Sequence, residues 1–275
     1  MFLWIFSLCS LMAHAYIPEW SLISSRTADQ HGRGAYQIEQ EVSFRRDAEV
    51  YTVKETWLVN GESGLRVTLE GRGALKGLVQ GTIFYDGSLR TFTDGSQVKS
   101  QRLGEDWLEP LLHFRNGKYL RSRLVSLKIL GPDSLRDRPA MNTEGTPNYE
   151  PPSFIRLSRA GSSVAWAVGA SPKSTTGPAV WIEQDQFVIR KIKTVNQTTF
   201  LANEYAKFED NFWYPRSYSY EFAGFKVDVQ TLGVKSAGKL GATDNRLKSS
   251  SLVPARDQLK LPELDGLREF YLRFR

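Results

Sequence analysis

The sequence contains one cysteine, Cys9, and three histidines, His14, His31 and His113, in 275 residues. A single thiol excludes an internal disulfide framework, and the histidines lack both cysteine neighbours and the paired spacing of a zinc site. No metal and no cofactor is expected. Long apolar runs are missing too: the stretch from Phe2 to Met12 is far shorter than the ~20 residues a membrane-spanning helix needs. It is followed by Ala13, His14 and Ala15, the small-x-small pattern of a signal-peptidase site. Residues 1–15 are therefore expected to be a signal peptide cleaved after Ala15, which removes Cys9. Lipidation of that cysteine is rejected, because Leu8 stands where a small residue is wanted.

Blocks of one charge are absent as well. Lys and Arg total 36 against 30 Asp and Glu, a net charge of +6, and the two signs are interspersed. This reads as a mixed solvated surface, and no nucleic-acid partner is expected. The glycines at 71, 73, 77 and 81 do not end in Lys-Ser or Lys-Thr, so they are read as bends in a curved sheet and not as a phosphate cradle. Gly161, Ser162 and Ser163 fall short of a Gly-x-Ser-x-Gly elbow. Carboxylates on strand-like stretches, Glu39, Glu41, Glu55, Glu204 and Asp228, cannot be paired from sequence and are read as solvent-facing. No catalytic residue is nominated, and an enzyme is the minority reading.

What the chain has is alternation. From 179 to 236, short apolar-rich runs at 180–183, 186–193, 200–209, 212–222 and 225–236 are separated by polar turns. In the last run Phe225, Val227 and Val229 share one face while Lys226, Asp228 and Gln230 share the other, the period of two of a half-buried strand. The same rule holds near the start: Tyr36, Ile38, Val42 and Phe44, then Tyr51, Val53, Trp57 and Val59, then Leu65, Val67 and Leu69 after the Asn60-Gly61 turn. Both halves are therefore antiparallel meanders. Trp107, Leu108, Leu111 and Leu112, then Tyr119 to Leu130, recur at spacings of three and four and predict two helices split at Asn116 and Gly117. A proline-rich stretch at 131–152 reads as a loop, and 16–30 as a short helix or an ordered arm. One domain over 16–236 is expected, since joining the meanders removes a pair of exposed edges. Residues 237–275 are expected to form a flexible tail, whose last part, 264–274, has the pattern of a docked or surface-binding amphipathic helix.

The 179–236 stretch also resembles a known family. Trp181, Ile182, Glu183 and Asp185, the return strand with Arg190, Lys191 and Ile192, the aromatic strand with Tyr205 and Phe208, and Trp213, Tyr214 and Pro215 before a last aliphatic strand look like the closing hairpins of the periplasmic lipoprotein carriers of the LolA and LolB type. The resemblance implies a mainly β (α+β) fold: a single curved antiparallel sheet forming an incomplete barrel, with helices inserted as lid or plug. It implies a periplasmic carrier that holds the acyl chains of a lipid or lipoprotein in an apolar concave trough, touches membranes transiently and hands its cargo to an outer-membrane acceptor. In that family an arginine on the third strand helps hold the lid, and the resemblance gives that lid contact to Arg66; the alternative, if the Leu65 and Val67 face lines the cavity, is that alternation turns Arg66 away and leaves it a surface cation. Candidate ligand-binding residues are Val53, Trp57, Leu65, Val67, Phe225, Val227 and Val229. The alternative is an envelope scaffold or signalling module of the same fold, with those residues packed as core.

Overall fold

The computed structural model describes residues 17–275 except 47, 62–63, 88, 105, 137–152, 170–175, 239 and 241–243. The expected signal peptide and most of the proline-rich loop lie outside the described residues. A first meander comprises β1 (Ala35–Arg46), β2 (Glu49–Val59), β3 (Leu65–Gly71), β4 (Gln80–Asp86), β5 (Leu89–Thr93) and β6 (Val98–Arg102). The second comprises β7 (Ile155–Ala160), β8 (Ser163–Val168), β9 (Ala179–Glu183), β10 (Ile189–Lys193), β11 (Thr199–Lys207), β12 (Trp213–Phe222) and β13 (Phe225–Gly238). The two share one 13-stranded antiparallel sheet, joined where β1 pairs with β13, with β6 and β7 at its two ends. It is a mainly β fold, and the sheet is curved but not closed into a barrel. Both edges carry cations, Lys99 and Arg102 on β6 and Arg156 and Arg159 on β7, which discourages pairing with another chain.

Alternation sends one face of this sheet inward. Across the seam Val42 pairs with Val229 and Phe44 with Val227, and across β1 and β2 Ile38 pairs with Trp57 and Val42 with Val53. All of these are buried in one continuous core. Helices cover that concave face: α1 (Trp20–Asp29), α2 (Gly117–Ser126) and α3 (Asp265–Arg273). The first of the two expected middle helices is only a 3-10 turn, Glu109–Leu112, because Pro110 cannot continue a helix begun at Trp107 and the chain turns away at His113. The second, α2, is started by the Asn116 side chain, which accepts from the Lys118 amide at 2.8 Å, and it stops before Lys128, whose φ of 57° is left-handed. The edge strand β6 has no apolar alternation and was not expected; it is specified by the Asp94-Gly95 turn and by pairing to β5.

The largest departure from expectation is at the far end of the chain. Residues 244–275 are not a free tail. Residues 245–257 run beside Arg66 and Phe84, on the face opposite Leu65 and Val67. The chain then crosses the start of β4, with the Leu259 amide donating to Thr93 and the Lys260 amide to Gln80, both at 2.8 Å. Gly81 permits this crossing: a Cβ there would lie 2.7 Å from the Leu259 Cα. The docked form of the final amphipathic helix is the one found, since Leu267, Phe270, Tyr271 and Phe274 are fully buried on the concave side. Burying four such side chains contributes roughly 1.5–3 kcal/mol each, enough to hold a nine-residue helix that would not persist alone.

Candidate functional site

The concave face is where the sequence placed its ligand-binding candidates, and it brings them together. Val53, Trp57, Leu65, Val67, Val227 and Val229 are all buried there, while Phe225 is half-buried at the rim. Little of this face is open, because α3 lies in the trough. Its Phe270 packs 5.5 Å from Phe44 and 5.4 Å from Tyr220, and Phe274 packs 4.7 Å from Phe222. On the other side Tyr85 stacks between Trp57 and Trp107. Arg66 lies apart from all of them. Its guanidinium sits 5.6 Å over the Phe84 ring, beside Asp257, on the opposite face of β3 from the helices in the trough. The role of lid contact therefore does not fall to it.

At the floor of the trough is a charged cluster that the sequence reading missed. Arg275, fully buried, donates through Nε to Glu55 at 3.1 Å, and its Nη1 lies 3.5 Å from the Glu109 carboxylate. Its guanidinium is also 4.8 Å from the Phe270 ring centre, 5.2 Å from Trp57 and 5.6 Å from Tyr220. Gln40 and the Trp57 indole donate to Glu55 at 2.7 and 2.8 Å. His113 and the Tyr214 hydroxyl each meet Glu109 at 2.9 Å. Burial would push the Glu109 carboxyl up, but the His113 hydrogen bond, the Arg275 charge and the Tyr214 hydroxyl together outweigh it and hold the group below the usual carboxylate range. Arg90, also buried, donates to the backbone oxygens of Tyr271 and Arg275, and Arg273 pairs with Asp106 at 2.7 Å. The end of α3 is thus held by charge on several sides.

The other end of α3 borders an open cleft. About 110 Å³ in volume, it opens to solvent at the mouth of the trough. Phe44, Phe225, Val227, Leu264 and Leu267 give it an apolar lining, and Arg45, Arg46, Lys226, Tyr51 and Asp265 stand around it. Of the seven sequence candidates, only Phe225 and Val227 line this open space. Gly266 brings the helix against the Phe225 ring, since a Cβ at that position would lie 2.7 Å from it. Two further clefts, beside Arg66 and Asp257 and between β5 and residues 247–250, are lined mainly by polar side chains. Among the described residues, no three His, Cys, Asp or Glu side chains converge as a metal-ligand set, and no helix is long and apolar enough to cross a membrane.

The buried charges were legible by parity, although not as a cluster. Glu55 lies between Val53 and Trp57, and Gln40 between Ile38 and Val42, each on the apolar face of its strand. Arg275 follows Tyr271 by four and so falls on the buried face of α3. Nothing local in the sequence tells that these residues meet, because they come from distant parts of the chain.

No protein-family model matches the sequence, and no curated protein matches it. Solved structures do. A LolA superfamily protein from Nitrosomonas europaea superposes with a TM-score of 0.51 at 11% identity, over 86% of this chain and 100% of its own. A DUF1329 family protein from Desulfovibrio piger superposes with a TM-score of 0.52 at 10% identity, over 85% and 98%. A putative outer membrane lipoprotein-sorting protein domain from Vibrio parahaemolyticus gives 0.47 at 10% identity, over 83% and 97%. At these identities the likeness is one of fold, and the fold is LolA-like.

Proposed function

We propose that this protein is a periplasmic binding and carrier protein for an acylated ligand, lipid or lipoprotein, whose trough is closed in this state by its own helix α3. It binds and does not catalyse, and its cargo passes to a membrane or to an outer-membrane acceptor. The observation that carries this reading is that the apolar concave face of a LolA-like sheet opens to solvent at an apolar cleft between Phe44, Phe225 and Leu267, beside the first turn of the covering helix. An acyl chain gains roughly 0.8 kcal/mol per methylene removed from water, so a dozen methylenes rival the burial of the four α3 side chains. Such a chain offers nothing to Glu55 and Glu109, and leaving those carboxylates buried without Arg275 would cost about 3–5 kcal/mol. The ligand therefore competes for the mouth half of the trough and leaves the Arg275 end seated.

Native mass spectrometry tests this on protein purified without detergent and incubated with a diacylated lipopeptide. One ligand per chain is expected, and Phe225→Asp, a change at a half-buried rim position, abolishes the increment while the fold persists. A bare mass after incubation with lipopeptide and with phospholipid would overturn the carrier reading. It would favour a second one, an envelope scaffold or signalling module with a permanently filled trough, which the pairing of Arg275 with two buried carboxylates already supports.

A further inference from the structure

Arg66, which makes no lid contact, stands in a cleft of its own on the convex face. The β3–β4 register sets it opposite Phe84, with Thr82 on the same side of the sheet, and residues 244–257 pass over these side chains as a strap. The strap is held down where the Thr82 amide donates to the Asp257 carbonyl at 3.2 Å. Between strap and sheet is a hollow of about 180 Å³, onto which Arg66, Thr82, Asn245, Arg246, Arg256 and Asp257 open. The acids here already have partners. Asp257 accepts from Nε and Nη2 of Arg256 at 3.0 and 2.8 Å and from the Val253 amide at 2.8 Å. Asp244, beside the hollow, takes Nε and Nη2 of Arg246 in the same two-pronged way, at 3.0 and 2.8 Å. Arg66 has no such partner. Its guanidinium rests 5.6 Å over the Phe84 ring, its Nε is buried with no acceptor, and no carboxylate among the described residues lies within ion-pair distance of it. The neighbouring charges cancel in pairs, and one half-buried guanidinium with five N–H donors is left over. A buried donor without an acceptor in a folded chain marks the place of a water or an ion.

We propose that this hollow is an anion site whose ligand is a small oxyanion, a phosphate or a carboxylate, bridging the sheet to the strap. Two oxygens of such a group match the fork of the Arg66 guanidinium. The Thr82 hydroxyl and the Asn245 side-chain amide supply neutral donors for the rest. Apart from Phe84 the lining is polar, so the site suits a compact, water-soluble anion and offers nothing to an acyl chain. It lies on the opposite face of the sheet from the trough and does not depend on what fills the trough.

NMR of the full chain tests this. Sodium phosphate and sodium acetate are titrated in turn, with sodium chloride at matched ionic strength as reference, while the Arg66 Nε–H resonance and the Thr82, Asn245 and Ser251 amides are followed. Saturable shifts at these groups are expected, with one oxyanion per chain and none with chloride. The tighter of the two probes names the ligand as phosphate or carboxylate. Arg66→Gln should weaken binding about tenfold or more. In chloride it should melt close to the unaltered chain, because the cation it removes has no partner there. In the oxyanion the unaltered chain should melt higher than the variant, as mass action requires of a ligand held by the folded state. Asn245→Ala, at an exposed position, should also weaken binding while leaving the fold intact. An absence of saturable shifts, shifts that chloride reproduces, or binding undiminished in Arg66→Gln would overturn the inference.

Discussion

Replacing Arg275 by methionine should show how firmly the trough is closed. The change keeps an unbranched apolar stem against Trp57, Tyr220 and Phe270 but removes the one guanidinium that pairs with both Glu55 and Glu109, leaving His113 alone beside Glu109. Removing one partner of a buried pair costs about 3–5 kcal/mol, because the other is left charged and dry. For a chain of this size that corresponds to a fall in melting temperature of roughly 6–20 °C. The pH dependence carries the sharper signature. In the unaltered protein the Glu109 carboxyl is held below its ordinary value, so its contribution is present above the unfolded pKa of about 4.5 and is lost as pH falls through the lower folded value. Without Arg275 burial dominates, the folded value rises above the unfolded one, and acidification now restores stability. Urea unfolding at pH 7 and at about pH 5 measures this: the deficit of Arg275→Met should shrink at the lower pH. A deficit below about 1 kcal/mol that does not change with pH would refute the reasoning, since it would mean that the carboxylates are solvated and α3 is not seated as described.

Two further outcomes are expected. Burial lowers the His31 imidazole from 6.5 to about 3, with the charges of His113 and Arg115 adding to the effect against the Phe114 carbonyl bond. The folded state thus keeps it neutral, and stability should be lost as pH falls below about 6.5, at close to 1.4 kcal/mol per pH unit until the folded value is reached. His31→Asn, which retains a donor for Phe114, should flatten the slope of unfolding free energy between about pH 6 and pH 4.5; an unchanged slope would mean that His31 is not the group responsible. Gly81→Ala places a methyl against the Leu259 backbone at a φ of 142°, so about 1–3 kcal/mol should be lost locally. Hydrogen exchange at the Leu259 and Lys260 amides should speed up, and protection equal to that of the unaltered chain would contradict the close crossing.

Much of the sheet was legible because alternation is a local property. The runs at 180–183, 200–209, 212–222 and 225–236 correspond to β9, β11, β12 and β13 with small shifts at their ends, and the joining of the two meanders followed from the cost of exposed edges. The strand expected at 186–193 begins only at Ile189, since Phe187 has a φ of 56° and turns the chain. What was not legible depends on distance. The 237–262 stretch is rich in Gly, Ser and Lys and looks free, yet backbone bonds to Thr93 and Gln80 fix its course from Leu259 on. Glu55 was taken for a surface carboxylate although its parity put it inside, because a buried charge needs a partner and Arg275 is remote in sequence. Arg66 met the opposite case: alternation already turned it away from the trough, and that local signal was the sound one.

The seam between β1 and β13 also governs how the chain can be made. Val42 and Val229 are neighbours in the sheet although about 190 residues separate them, a high contact order of the kind that slows folding. During synthesis or translocation β1 and β2 emerge early, and the free edge of β1 keeps its N–H and C=O groups unpaired until Phe225–Gly238 arrives. The apolar concave face waits longer still, since α3 follows the last strand. The polypeptide thus passes through a period in which an unpaired edge and an uncovered trough coexist, the interval in which such a chain is most exposed to aggregation.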